Sequence, residues 1–258
     1  LGPNHPAHFP GMPPGPIVKL SKRLKQIRSM VPPGYTHIWD CCCDHGLLGA
    51  ALLSDHAAPH IHFVDVLPRL INQLSEKLQR FYPVTPNNWY THCLDAAALP
   101  LEHYPGKHLI IIAGVGGDLV TRFIQEIHRK HPRARLDFLL CPIHQEYHLR
   151  QQLIALDFSL KEEVLVSDNQ RFYEVLLVSV EQKEMVEWHK VSPVGDRIWQ
   201  ADTPAQESIA RSYLHKTLKH YQNSQKGNPD SVRKAIDAYR AVTISKPLHR
   251  RTEDTVVR

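Results

Sequence analysis

No apolar run in the 258-residue chain approaches the ~20 residues a bilayer-spanning helix needs. Its first residues also lack a charged segment followed by an apolar one. These absences exclude a membrane-spanning reading and predict a cytoplasmic protein. The five cysteines make no CxxC pair, and three of them are adjacent at Cys41, Cys42 and Cys43. That pattern argues against a zinc ribbon and a disulfide framework, and fits reduced thiols serving as small side chains. His60-x-His62 has no third ligand spaced for it, so no metal is expected and packing is the reading for that pair. One sign of charge does not dominate either, with 31 Lys/Arg against 26 Asp/Glu.

What charge there is, however, is segregated. From Arg211 to Arg258 there are eleven Lys/Arg against four acids, while the whole chain nets only +5. A basic quarter on an otherwise slightly acidic chain points to a polyanionic partner. The hydrophobic content of 42% supports one sizeable domain with a real core plus an appendage.

Along the chain, residues 1–16 carry six prolines and no apolar periodicity, and are expected to be an extended tail outside the fold, with Met12 a candidate start. Leu20, Leu24, Ile27 and Val31 mark one face of a short helix that Pro32-Pro33-Gly34 ends. Strands are expected at His37–Asp40, His62–Val66, Trp89–Cys93, His108–Ala113 and Leu136–Cys141, alternating with helices. A closing hairpin would run from Glu163 to Val180 through Asp168-Asn169-Gln170. This alternation is the signature of a doubly wound, Rossmann-like α/β sheet, here occupying residues 17–180. Residues 181–202, of mixed polarity, read as a linker or a wrap. Thr203-Pro204-Ala205-Gln206 offers a capping box for a helical hairpin over residues 203–242, with Gly227-Asn228-Pro229 between its helices. A basic tail, 243–258, is expected to lose order after Thr243.

The chemistry concentrates in Ile38–Gly49, the first strand-to-helix turn, which in such folds lies at the ligand-binding edge of the sheet. A dinucleotide fingerprint aligned on Asp40 would place glycines where this chain has Cys42, Asp44 and Leu47. An acid in that loop would repel a pyrophosphate. It would favour S-adenosylmethionine, which has no phosphate and carries a sulfonium and an ammonium. Four features agree: Asp40 in the first loop, Asp65 at the end of the second strand for the ribose, Asp95 near the adenine, and the turn Gly114-Val115-Gly116-Gly117 after the fourth strand. Cys42, Gly46, Val66, Ala96 and Ala113 flank them as further cofactor-binding candidates.

Leu20-Ser21-Lys22-Arg23-Leu24, Asp40-Cys41-Cys42-Cys43-Asp44-His45, Ile112-Ala113-Gly114-Val115-Gly116-Gly117 and Tyr173-Glu174 together resemble the bacterial tRNA adenine-22 N1-methyltransferases, the TrmK-like family. The resemblance spans about Leu20 to Val180, and the helical hairpin is also a family trait. It implies a class I methyltransferase fold, S-adenosylmethionine as donor with S-adenosylhomocysteine as product, and a tRNA substrate. Cys42 stands where that family has glycine, so a positive φ there would strain the backbone. The implied roles are Asp44, with His45 orienting it, as the catalytic carboxylate facing the target base. Lys22, Arg23, Gly116, Gly117, Lys216 and Lys219 would contact the RNA. Alternatives of other classes are a methyltransferase for a small molecule and an RNA-binding module without catalysis.

Overall fold

In a computed structural model, residues 19–82, 88–181, 189–224 and 229–246 are described. The proline-rich segment, the Gly227-Asn228 break and the end of the basic tail lie outside them. Helix α1 (Lys22–Ser29) is followed by β1 (His37–Cys41), α2 (Leu47–Ser54), β2 (His60–Asp65), α3 (Pro68–Phe81) and β3 (Trp89–Cys93). Then come β4 (Lys107–Ala113), α4 (Gly117–Lys130), β5 (Arg135–Cys141) and α5 (Glu146–Ala155). Strands β6 (Ser159–Asp168), β7 (Arg171–Ser179) and β8 (His189–Lys190) precede the hairpin helices α6 (Pro204–Asn223) and α7 (Pro229–Arg240).

The strands form one sheet in the order β3-β2-β1-β4-β5-β7-β6-β8. Strands β1 to β5 pair in parallel and β7, β6 and β8 antiparallel, as expected for a doubly wound sheet closed by a hairpin. All five residues of β1 are buried, as are the five central residues of β4, because helices or loops cover both faces there. The order reverses between β1 and β4, and the carboxyl ends of those strands form the crevice in which open α/β sheets bind ligands.

Local sequence explains the elements. Pro68 opens α3, which buries Leu70, Ile71, Leu74 and Leu78 as one stripe. Asn169 and Gln170, at φ of 49° and 63°, make the two-residue turn between β6 and β7, matching the twist of the strands. At α6 the capping box forms, with Thr203 Oγ1 accepting the Gln206 N–H at 3.2 Å and Gln206 Oε1 accepting the Thr203 N–H at 3.1 Å.

Between β3 and β4 the chain makes only two short 3₁₀ turns, at 96–98 and 101–103. The adjoining sheet face is instead filled by a stack of rings. Trp39 lies 3.8 Å from His62 between ring centres, and His62 lies 4.7 Å from Tyr90. Hydrogen bonds join His37 Nδ1 to His62 Nε2, His62 Nδ1 to His92 Nε2, and Trp39 Nε1–H to His108 Nδ1, all at 3.0 Å. His60-x-His62 therefore packs, and among the described residues no group of three His, Cys, Asp or Glu is arranged to hold a metal. Nor is any described helix long and apolar enough to cross a membrane.

One expectation narrows and one changes. Residues 189–202, from the segment expected to be a linker or a wrap, add the edge strand β8 and bury Ile198 and Trp199 against Ala210, Tyr213 and Tyr239 of the hairpin. Order also persists past Thr243. The Ser245 carbonyl accepts the Ala201 N–H at 2.9 Å and its N–H reaches the Trp199 carbonyl at 3.2 Å. These backbone bonds give the segment after α7 a fixed partner.

Candidate active site

Four acids rim the carboxyl edge of β1, β2 and β3, each held differently. Asp40 is only 5% exposed and its Oδ2 accepts the Gly49 N–H at 2.9 Å. Burial pushes its carboxyl up to about 7. The bond to Gly49 anchors the end of β1 to the first turn of α2. Asp65 accepts the Asp44 N–H at 3.1 Å on Oδ2 and the Leu67 N–H at 3.1 Å on Oδ1, tying the first loop to the second. Asp95 caps the short turn after β3 through the Ala97 N–H at 2.9 Å and meets the Arg122 guanidinium at 3.0 Å. Burial opposes its ionisation, but the Ala97 N–H and Arg122 outweigh it and hold the carboxyl below its ordinary value. Ala96 beside it is buried.

Asp44 is the exception. Its carboxylate is 70% exposed, with His45 Nε2 3.6 Å away. The loop reaches this shape through left-handed backbone at Cys42 (φ 58°), Asp44 (φ 51°) and Gly46 (φ 71°). Cys42, where glycine was the family residue, does take positive φ, a conformation that costs an ordinary side chain roughly 1–2 kcal/mol. Its thiol is pushed up to about 12 by burial and then by Asp65, Asp40 and Asp95, so it is no nucleophile at neutral pH. Leu47, Val66 and Leu67 are exposed on the same edge, an apolar wall beside the acids.

The two halves of the glycine turn serve different ends. Gly114, at φ 83°, is exposed, and a Cβ there would meet nothing nearer than Arg23 Nη1 at 3.9 Å. It leaves open space above β4, next to the partly exposed Ala113. Gly117 is buried, and a Cβ there would lie 2.6 Å from the Gln145 carbonyl oxygen. Gly116 is likewise packed against the His144 ring. Gly116 and Gly117, expected at the RNA, thus let the start of α4 close on the loop after β5.

Arg23 belongs to this edge. Its N–H bonds Asp168 Oδ2 at 3.1 Å and its guanidinium lies 4.9 Å from the Tyr173 ring centre, which folds α1 over the open space at Gly114. Lys22 is exposed beside it, and Lys219 is exposed on α6. Lys216, also exposed, sits 5.7 Å from the Phe172 ring centre. Arg122 went unread in the sequence, since a lone arginine on the polar side of a helix carries no signal for the acid it meets.

The methyltransferase-domain family matches residues 20–176, from before α1 into β7. The chain belongs to that family. Outside the matched methyltransferase domain stand β8 and the hairpin. No curated protein matches the chain. Solved structures do, at low identity. TrmK of M. capricolum with S-adenosylhomocysteine is 15% identical, covers 86% of this chain and 96% of its own, and has a TM-score of 0.66. The B. subtilis M1A22 tRNA methyltransferase TrmK is 18% identical, with 86% and 95% covered and a TM-score of 0.59. Sp1610 of Streptococcus pneumoniae in complex with S-adenosyl-L-methionine is 20% identical, with 86% and 98% covered and a TM-score of 0.62. The coverage extends the shared fold beyond the methyltransferase domain into the hairpin.

Proposed function

We propose that the protein transfers a methyl group from S-adenosylmethionine to N1 of an adenine in tRNA, at position 22 by its resemblance to the TrmK-like enzymes. The observation that carries this reading is the edge of the sheet itself, where acids and an apolar wall stand in place of a phosphate cradle and Gly114 leaves open space above β4. The solved structures named above, with S-adenosylmethionine or its product bound, support it.

The residues present fit this cofactor. Asp65 and Asp95 offer carboxylates to hydroxyls and amines, Val66 offers an apolar side chain to the base, and Gly114 leaves room. Cys42, Gly46, Ala96 and Ala113 shape the same edge. When bound, S-adenosylmethionine supplies an electrophilic methyl group.

The chain's own task is then positioning, because neutral adenine N1 already has an in-plane lone pair. Of the four acids, Asp40 is buried and Asp65 and Asp95 serve the loops and the cofactor, which leaves Asp44, the most exposed, for the substrate. Asp44 accepts a hydrogen bond from the exocyclic amine and so stabilises the positive charge that grows on the base. His45 orients it. The base must leave any stack to get there. Lys22, Arg23, Lys216 and Lys219 hold phosphates, so binding weakens with salt.

The test is incubation with labelled S-adenosylmethionine and bulk tRNA, followed by mapping of the modified base. N1-methyladenosine is expected, and absence of label on tRNA sinks the reading. Tyr213 of α6 donates to the buried Glu174 at 2.7 Å, so removing the hairpin would uncover the core. Its RNA role is better probed by Lys219→Glu, which leaves the fold alone and should weaken tRNA binding.

A further inference from the structure

A cavity of about 880 Å³ lies between the start of α5, the start of β7 and the two hairpin helices. Its size suits a nucleotide-sized ligand. It adjoins the glycine turn, since His144 both lines it and fills the space that a Cβ on Gly116 would need. The cavity therefore opens on the same sheet edge as Gly114. Apart from Lys216, none of its side chains has a part in the methyl transfer described above.

The lining combines three chemistries. Phe172 of β7 and Tyr221 of α6 both line it with aromatic rings. Tyr221 is itself held by stacking on Tyr239, 5.8 Å between ring centres. Lys216 and Arg171 bring positive charge, and both are exposed. Glu146 brings a carboxyl that burial, then the nearby Glu174, pushes up to about 7, so around neutral pH it can donate a hydrogen bond as well as accept one. Aromatic platforms beside cations are how proteins grip unpaired nucleotides: rings hold the base and cations the phosphate.

We propose that this cleft receives one unstacked nucleotide of the RNA substrate, a neighbour of the methylated base. Its base lies against Phe172 and Tyr221, its phosphate between Lys216 and Arg171, and its polar edge at Glu146. The assignment rests on the tRNA reading above and extends it. Two pockets on one edge, separated by His144, let the enzyme recognise an adenine by what stands next to it. A free adenine would fill only one of them.

Binding of an unmodified tRNA transcript, measured at several salt concentrations, tests this with Phe172→Leu and Lys216→Ala. Calorimetry with S-adenosylmethionine runs in parallel. Phe172→Leu keeps apolar packing but removes the ring, and should lower tRNA affinity about tenfold, as loss of a base-stacking platform does. Lys216→Ala should lower it more modestly and reduce the salt slope by about one. Both should bind S-adenosylmethionine within about twofold of the unaltered protein. If the unaltered protein binds tRNA and both variants bind it equally well, the cleft assignment is overturned and the methyltransferase reading stands. If the unaltered protein binds S-adenosylmethionine but no tRNA, the tRNA reading falls and the cleft assignment falls with it.

Discussion

The two ends of the sheet bury polar side chains by opposite means. Under the cofactor loops, His37, His62 and His108 are kept neutral and bonded to one another and to Trp39. Burial pushes His62 down to about 2 and His108 to about 4, with neighbouring histidines adding to the shift. At the hairpin end the group is charged. Arg150, fully buried, bonds Glu174 and Glu163 at 2.7 Å each and the Ser192 carbonyl at 3.1 Å. Glu163 also takes the Asp196 and Arg197 N–H groups at 2.6 Å, and Tyr213 completes Glu174. Burial works against the charges of Arg150 and Glu163, but each holds the other ionised. The difference teaches what each end is for. The neutral stack fills a face that lacks a helix, whereas the charged group locks three separate chain segments, β8 to Trp199, α5 and α6, into one orientation beside the cleft.

The largest effect should come from breaking the charged end. Arg150→Met leaves two buried carboxylates without a cation and should cost about 3–5 kcal/mol in urea unfolding. A loss under 1 kcal/mol would mean that the network does not lock these segments. Nearly as large, but on catalysis, Asp44→Ala should slow methylation roughly 10²–10³-fold while S-adenosylmethionine binding by calorimetry stays near normal. An unchanged rate would refute its catalytic role.

The histidine end should lose stability on mild acidification where the Arg150–Glu163 pair does not. A histidine in the unfolded chain takes up a proton near 6.5, while the buried ones stay neutral far below that. The stabilisation is therefore complete above pH 6.5 and is lost as pH falls, by up to about 1.4 kcal/mol per pH unit for each such histidine. Glu163, whose pKa is lowered, keeps its contribution until the pH drops below the ordinary carboxylate range. Urea midpoints between pH 7.5 and 5 should fall, and His62→Phe should make that fall shallower; an identical slope would break the comparison. Smallest is Cys42→Gly, which relieves the left-handed backbone at φ 58° and should add about 0.5–1 kcal/mol of stability. It should leave S-adenosylmethionine binding intact or improved.

Much of the strand and helix order was legible because the signals are local. Alternating apolar runs, the proline opening α3, and the Thr203–Gln206 box each depend on residues a few positions apart. The acids at the strand ends were legible for the same reason, since a strand's carboxyl end is where such folds keep ligand groups. Their division of labour was not. Asp40 at the end of β1 and Asp44 in the turn after it are four residues apart, yet one is buried and the other open, which depends on where α2 and β2 pack. The histidines gave no pattern along the chain because they come from four strands and meet only when these align in register.

The sequence by itself determined an α/β methyltransferase-domain chain with acids at its ligand edge and a basic helical hairpin, because periodicity, turn residues and charge are properties of short stretches. The tertiary structure alone decided which acid stays open, how α1 brings Arg23 over Gly114, and that Arg150 joins Glu163 and Glu174. It also made the aromatic cleft at the foot of the hairpin. Each of these needs side chains brought together from far along the chain, and only the closed fold does that.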